Sequence, residues 1–214
     1  MIARDGLRIV FPSFILAFVL LMGGFVFDLR LLTLLFWVVF IFFLFSLWFF
    51  RDPERETPEG ETLIICPADG QVVAIAELED DFVGKAHRVS IFMSVFNVHV
   101  NRIPFSGTIG TIVHRDGRFL SAMKPEASFD NELNIITLDN GNIRMKFSQI
   151  AGLIARRIVC RLQPGQVVTA GTRFGLIMFG SRVDLILPAT VALRVTIGDK
   201  VRAAQTVIGE IVCD

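Results

Sequence analysis

Two apolar runs open the chain. Ile9 to Phe27 is almost uninterrupted hydrophobic sequence, and after Asp28-Leu29-Arg30 the pattern resumes from Leu31 to Phe50. Each run is long enough to cross a hydrocarbon core of ~30 Å as a helix, and the short break between them predicts a helical hairpin. Pro12 lies near the start of the first run, where a helix tolerates it, and Trp48 beside Arg51 fits an interfacial anchor. Arg4, Arg8, Arg51 and Arg55 flank the outer ends while the turn carries only Arg30, so the distribution of positive charge puts both ends in the cytoplasm. No small-x-small cleavage site follows the first run, which argues against a signal peptide. A re-entrant or interfacial hairpin is the competing arrangement, because the turn leaves little room for a polar loop.

Beyond Phe50 the pattern changes to "RDPERETPEGET", a charged, proline-containing linker over 51–62. The remaining residues, 63–214, read as one domain of short strands. "TLIIC", "QVVAIAE", "RVSIFMSV", "NIITL", "RIVCRL" and "TVIGEIV" are runs of β-branched residues bounded by Gly, Pro, Asn or Asp. No long helical stripe of apolar residues follows residue 51, and only "AGLIARR" suggests a turn of helix. The expected fold is therefore mainly β: an antiparallel, hairpin-rich barrel or sandwich behind an N-terminal helical membrane hairpin. "GQVVTAGTRFGLI" (165–177) and "GDKVRAAQTVIGEI" (198–211) echo one another. Both are similar to the hairpins of biotinyl and lipoyl carrier domains, though neither holds the Met-Lys-Met that lysine modification needs.

Composition narrows the classes. A hydrophobic share of 53% exceeds that of ordinary soluble domains, which supports contact with lipid. Lys plus Arg and Asp plus Glu both number 21, so no global field draws in nucleic acid. The cysteines, Cys66, Cys160 and Cys213, are scattered, which argues against a disulfide framework or a zinc site.

Candidate chemistry concentrates in a few places. In "LIMFGSRVDLILP" (176–188), Gly180 and Ser181 interrupt what otherwise reads as two apolar strands, with Arg182 and Asp184 following at once. Alone, Gly-Ser is an ordinary turn dipeptide. Of the three histidines, His99 lies in "NVHVNRIP", where alternation gathers Asn97, His99 and Asn101 on one face. His87 and His114 sit beside turn signals and read as surface residues. Asp69 in "PADGQV" reads locally as a turn aspartate.

Taken in order, "PADGQV" (67–72), "FNVHVNRIP" (96–104), "GRFLSA" (117–122), "QIAGLIARRIV" (149–159) and "FGSRVDLILP" (179–188) resemble the motifs of short-type phosphatidylserine decarboxylase proenzymes. The resemblance implies self-cleavage between Gly180 and Ser181. The serine hydroxyl attacks the preceding carbonyl, the amide shifts to an ester, and β-elimination leaves a pyruvoyl group at position 181. A hydroxyl one bond from the scissile carbonyl acts at high effective molarity, and glycine leaves that carbonyl uncrowded. By motif position Asp69, His99 and Ser181 inherit the catalytic roles, with the aspartate paired to the histidine as in hydrolase triads. The pyruvoyl group would then act as electron sink in decarboxylating a serine headgroup, with no metal or diffusible cofactor. Expected partners are a membrane phospholipid, the two cleaved chains for one another and, as an admissible assembly, a second copy in a homodimer. The expected location is the inner (cytoplasmic) membrane with the catalytic domain facing the cytoplasm.

Arg102 and Arg182 are the candidate substrate-binding cations, with Arg156 and Arg157 behind them. Two departures stand out. Longer family members carry a second histidine where this chain has Arg102, and the "NELN" stretch puts Leu133 where the family has arginine. Two alternative readings remain open at this point: a pyruvoyl decarboxylase of another serine lipid such as archaetidylserine, and a non-enzymatic membrane-anchored hairpin-barrel scaffold.

Overall fold

The computed structural model of the protein describes residues 1–117, 131–152, 157–178 and 181–212. Contacts divide the chain into two units, Met1–Glu54 and Arg55–Asp214.

The first unit is a helical hairpin: a 3-10 turn leads into α1 (Leu7–Phe27), and α2 (Arg30–Phe49) returns alongside it. At 1.5 Å per residue each helix is about 30 Å long. Phe25, Val26, Phe27 and Leu31 are exposed, as expected of helices that meet lipid rather than a protein core. The serine hydroxyls are satisfied within the helices, Ser13 by the Val10 carbonyl and Ser46 by the Phe42 carbonyl, both at 2.8 Å. Backbone bonds from Ala3 N–H to the Phe50 carbonyl and from Asp52 N–H to the Met1 carbonyl close the two ends together. The Arg51 guanidinium stacks 4.0 Å over the Trp48 ring.

The second unit is a set of antiparallel strands forming a curled half-barrel. In chain order they are β1 (Leu63–Ile65), β2 (Gly70–Asp80), β3 (Gly84–Met93), β4 (Val100–Arg102), β5 (Gly107–Arg115), β6 (Leu133–Asp139) and β7 (Arg144–Ala151), followed by β8 (Ile158–Cys160), β9 (Val167–Val168), β10 (Arg173–Ile177), β11 (Ser181–Pro188), β12 (Val191–Leu193), β13 (Lys200–Val201) and β14 (Val207–Ile211). The largest sheet has the order β13-β2-β3-β11-β7-β6-β5-β9; two three-stranded sheets, β1-β14-β12 and β4-β10-β8, complete the unit. The six strands expected from sequence are β1, β2, β3, β6, β8 and β14. Residues 153–156, on which the expected helical turn falls, lie outside the described residues.

Alternation along β11 explains the core. Ser181, Val183, Leu185 and Leu187 share one face with Val89, Ile91 and Met93 of β3 and with Phe147 of β7, while Arg182 and Asp184 fall on the other. Phe147 meets Phe174 edge-to-face at 5.2 Å. Each such Val, Leu, Ile or Phe side chain contributes roughly 1.5–3 kcal/mol of transfer free energy.

The sequence echo is a structural repeat. β9 and β13 occupy the two outer edges of the large sheet, and β10 and β14 the centres of the two small ones. Gly107 pairs with Val168 and Thr108 with Val167; likewise Gly70 pairs with Val201 and Gln71 with Lys200. Gly165 N–H bonds the Ile109 carbonyl as Gly198 N–H bonds that of Val72, and Gly171 N–H bonds Ile103 as Ala204 N–H bonds Cys66. Gly165 and Gly171 have φ of 80° and 79°; their counterparts Gly198 and Ala204 have 101° and 62°. The two copies are not isolated hairpins: each runs from an edge of the large sheet to the middle of a small one.

Candidate active site

Ser181 is the first residue of β11, flanked by Met93 on β3 and Ala151 on β7, and is 0% exposed. Its Oγ donates to Met93 Sδ at 3.3 Å, a weak acceptor. The same sulfur accepts from Asn101 Nδ2 at 3.8 Å. Asn101 Oδ1 in turn accepts from Gln149 Nε2 at 2.9 Å, and Gln149 Oε1 accepts from Asn134 Nδ2 at 3.3 Å. A buried line of polar groups thus runs through the core and ends at the Ser181 hydroxyl, satisfying amides that would otherwise be costly to bury. Room for it comes from Gly175, where a Cβ would lie 2.1 Å from the Val159 carbonyl and 3.0 Å from Gln149 Nε2. Asn131 holds the Ala151 carbonyl at 2.7 Å, beside Ser181.

His99 is 2% exposed and immediately precedes β4, two residues before Asn101. Its Nδ1 lies 2.9 Å from the Asn97 carbonyl. A carbonyl can only accept, so Nδ1 carries a proton in this contact. Ile177 N–H donates to the His99 carbonyl at 3.3 Å, tying the residue to β10, the strand that leads toward position 181.

Asp69 lies in the turn before β2, 8% exposed. Both oxygens face Arg55: Nη1 bonds Oδ1, and Nη2 bonds Oδ2 at 2.8 Å. Ala203 N–H also donates to Oδ1 at 2.9 Å. The expected pairing of Asp69 with His99 is not among these bonds; a backbone carbonyl orients the imidazole, and an arginine holds the carboxylate. Arg55 is the partner that sequence reasoning missed. It lies fourteen residues away in a linker, and no local pattern marks a long-range ion pair.

The two candidate substrate cations are buried and engaged. Arg102 donates to the Gly171 carbonyl at 3.0 Å. Arg182 grips Asp184 through Nε at 2.6 Å and Nη2 at 2.8 Å, on the sheet face opposite Ser181. Gly180 and Arg156 lie outside the described residues. Beside Asp69 opens a cavity of about 460 Å³, walled by Gln71, Ser94 and Asn97 and by the exposed cations Lys200 and Arg202. Of the candidate groups Asp69 lines it, together with Asn97, whose carbonyl meets His99 Nδ1, and Ser94, which follows Met93 in the chain. Among the described residues no group of three or more His, Cys, Asp or Glu side chains could hold a metal ion.

Comparison with known proteins bears on this site. The sequence profile of a family described as phosphatidylserine decarboxylase matches residues 42–209. A phosphatidylserine decarboxylase proenzyme of Chlorobium chlorochromatii is 54% identical over 171 residues, covering 79% of this chain and 80% of the relative. One from Desulfotalea psychrophila is 48% identical over 181 residues, covering 82% and 85%. A third, from Syntrophus aciditrophicus, is 49% identical over 169 residues, covering 78% and 79%.

Proposed function

Because this chain belongs to the phosphatidylserine decarboxylase family, we propose that Ser181, His99 and Asp69 carry out its maturation and its reaction. The protein is a carboxy-lyase made as a proenzyme. It converts phosphatidylserine to phosphatidylethanolamine in phospholipid biosynthesis.

In the proposed maturation, His99 Nε2 takes the proton of the Ser181 hydroxyl, whose oxygen attacks the Gly180 carbonyl. The C–N bond breaks as the ester forms, and the amine is left on residue 181. Loss of the Cα proton expels the Gly180 carboxylate, giving chain 1–180 its new C-terminus. Water then replaces the nitrogen at position 181, and ammonia leaves. The observation that carries this reading is the state of Ser181: fully buried, at the head of a central strand, with a thioether as hydrogen-bond acceptor. A hydroxyl so weakly bonded gives up little on becoming a nucleophile.

The residues around position 181 suit a pyruvoyl group: Met93 and Ala151 hold the strand end on either side, in a site closed to bulk water. When present, that group supplies a ketone for the substrate amine and an electron sink for the charge left by departing carbon dioxide. The cavity beside Asp69 receives the headgroup. Arg102 and Arg182 spend their guanidinium groups on the chain itself, so we assign the lipid phosphate to Lys200 and Arg202 at the cavity wall. The two apolar helices anchor the protein at a membrane, and the arginine pattern supports a crossing with both ends in the cytoplasm. Residues 1–50 thus serve as anchor, 51–62 as linker and 63–214 as catalytic domain.

Intact-mass measurement of the purified protein tests the proposal. The expected result is residues 1–180 together with a fragment starting at position 181 that is lighter by one ammonia than its encoded sequence, and an uncut chain for Ser181→Ala. Folded wild-type protein that shows only the intact mass overturns it.

A further inference from the structure

The internal repeat supplies a control for Asp69. The segment Ile103-Pro104-Phe105-Ser106-Gly107 stands in one copy where Cys66-Pro67-Ala68-Asp69-Gly70 stands in the other, so Ser106 is the counterpart of Asp69. Ala170 N–H donates to Ser106 Oγ at 3.0 Å, as Ala203 N–H donates to Asp69 Oδ1 at 2.9 Å. A neutral hydroxyl therefore closes this turn as well as a carboxylate does. The turn does not call for the charge at position 69, and burying one without a partner is unfavourable. Something other than this turn accounts for it.

What distinguishes the two copies is Arg55. Its fork takes both oxygens of Asp69, and Nη1 also bonds the Ala203 carbonyl, closing a ring of three segments: the linker, the turn before β2 and the turn after β13. Three donors occupy three of the roughly four acceptor sites of the carboxylate, leaving one on Oδ2. That carboxylate forms part of the wall of the 460 Å³ cavity.

We propose that Arg55 is a positioning residue for Asp69: with Ala203 N–H it fixes the plane of the carboxylate at the cavity wall and leaves one acceptor site of Oδ2 for the reacting groups. The inference rests on the proposal above that Asp69 takes part in maturation. Bidentate pairing is the geometry that an arginine supplies and a lysine does not.

The test is a time course of chain cleavage in full-length protein, in detergent, alongside thermal melting. Asp69→Ser keeps the turn acceptor that the other copy uses but deprives the buried Arg55 of its partner, so it should melt below wild type and, at a temperature where it stays folded, cleave at least ~10²-fold more slowly. Arg55→Ala should slow cleavage comparably, Arg55→Lys should recover part of the rate, and added methylguanidinium should recover part of it in Arg55→Ala. The double variant Arg55→Ala/Asp69→Ser should cleave no more slowly than Asp69→Ser alone. Slow cleavage in Asp69→Ser with wild-type rates in both Arg55 variants overturns the positioning role while leaving Asp69 its own. A double variant slowed by the product of the single effects overturns it too, since Arg55 then acts elsewhere. Wild-type cleavage in Asp69→Ser removes the role of Asp69 and this inference with it. If Arg55→Ala alone fails to fold, Arg55→Lys and the double variant decide.

Discussion

The Ser181 hydroxyl and the Met93 sulfur face each other at 3.3 Å across adjacent central strands. Leucine has nearly the volume of methionine but no acceptor, so Met93→Leu should cost less than about 1.5 kcal/mol of stability and change the cleavage rate by less than about tenfold. Met93→Ala should instead lose about 2–5 kcal/mol through the cavity it opens. Urea denaturation and a cleavage time course distinguish these outcomes. A large loss of cleavage in a stable Met93→Leu protein would show that the sulfur itself takes part.

His99→Ala should accumulate uncleaved chain, because loss of a general base commonly costs ~10²- to 10⁴-fold. Release of carbon dioxide from phosphatidylserine, normalised to the cleaved fraction, then reads the second role separately. Normal maturation with slow decarboxylation would confine His99 to the later step.

Ala204 adopts a left-handed φ of 62° where its counterpart is Gly171. Left-handed backbone costs an L-residue ~1–2 kcal/mol, partly offset by the lower unfolded-state entropy of alanine. Ala204→Gly should therefore stabilise by up to about 1 kcal/mol, read as a shift in denaturation midpoint. Gly171→Ala should destabilise, since it adds the same backbone strain and places a Cβ 2.0 Å from Thr57 Oγ1. Adding Thr57→Ala should restore the steric share of that loss alone.

Burial pushes the Cys66 thiol up to about 12 from an ordinary 9.0, opposed by a backbone hydrogen bond at Ala68, with a smaller rise from Asp69 and a smaller lowering from Arg55. A raised folded-state value favours the native state fully below about pH 9, and that share is lost as pH climbs toward 12 because the unfolded chain releases its proton first. Wild-type stability should fall across this window more steeply than that of Cys66→Ala, by up to about 1.4 kcal/mol per pH unit. Native Cys66 should also resist iodoacetamide under mildly alkaline conditions. Equal slopes would show that the thiol ionises in the folded state as readily as in the unfolded one.

What the sequence made legible was whatever repeats along the chain. The helical hairpin and strands β1, β2, β3, β6, β8 and β14 follow from local periodicity, and motif order pointed to Asp69, His99 and Ser181. Contacts between distant segments left no such trace. Arg55 reads as one more linker charge until folding sets it against Asp69. Arg102 and Arg182 read as substrate cations, yet their partners, Gly171 and Asp184, absorb them inside the protein. Gln149 and Asn134 sit in apolar strands, where their value lies in bonding each other and Asn101. The repeat was faint in sequence because the spacing from Val168 to Gly175 is one residue shorter than that from Val201 to Gly209, although Gly171 and Ala204 share a left-handed backbone.

The position of β11 has one more consequence. A cut before Ser181 leaves a short second chain that supplies β11 between β3 and β7, β13 against β2, and β14 between β1 and β12. The pieces are woven through one another, and releasing either means dismantling the sheet. Folding before the cut is unimolecular, whereas reassembly afterwards is a second-order search by two incomplete chains, each exposing sheet edges prone to aggregate. A matured molecule that unfolds has lost the covalent tether that guided its first assembly. Under the proposed cut, recovery of the native state depends on that second-order search, so the working life of the matured enzyme should follow its unfolding rate rather than an equilibrium.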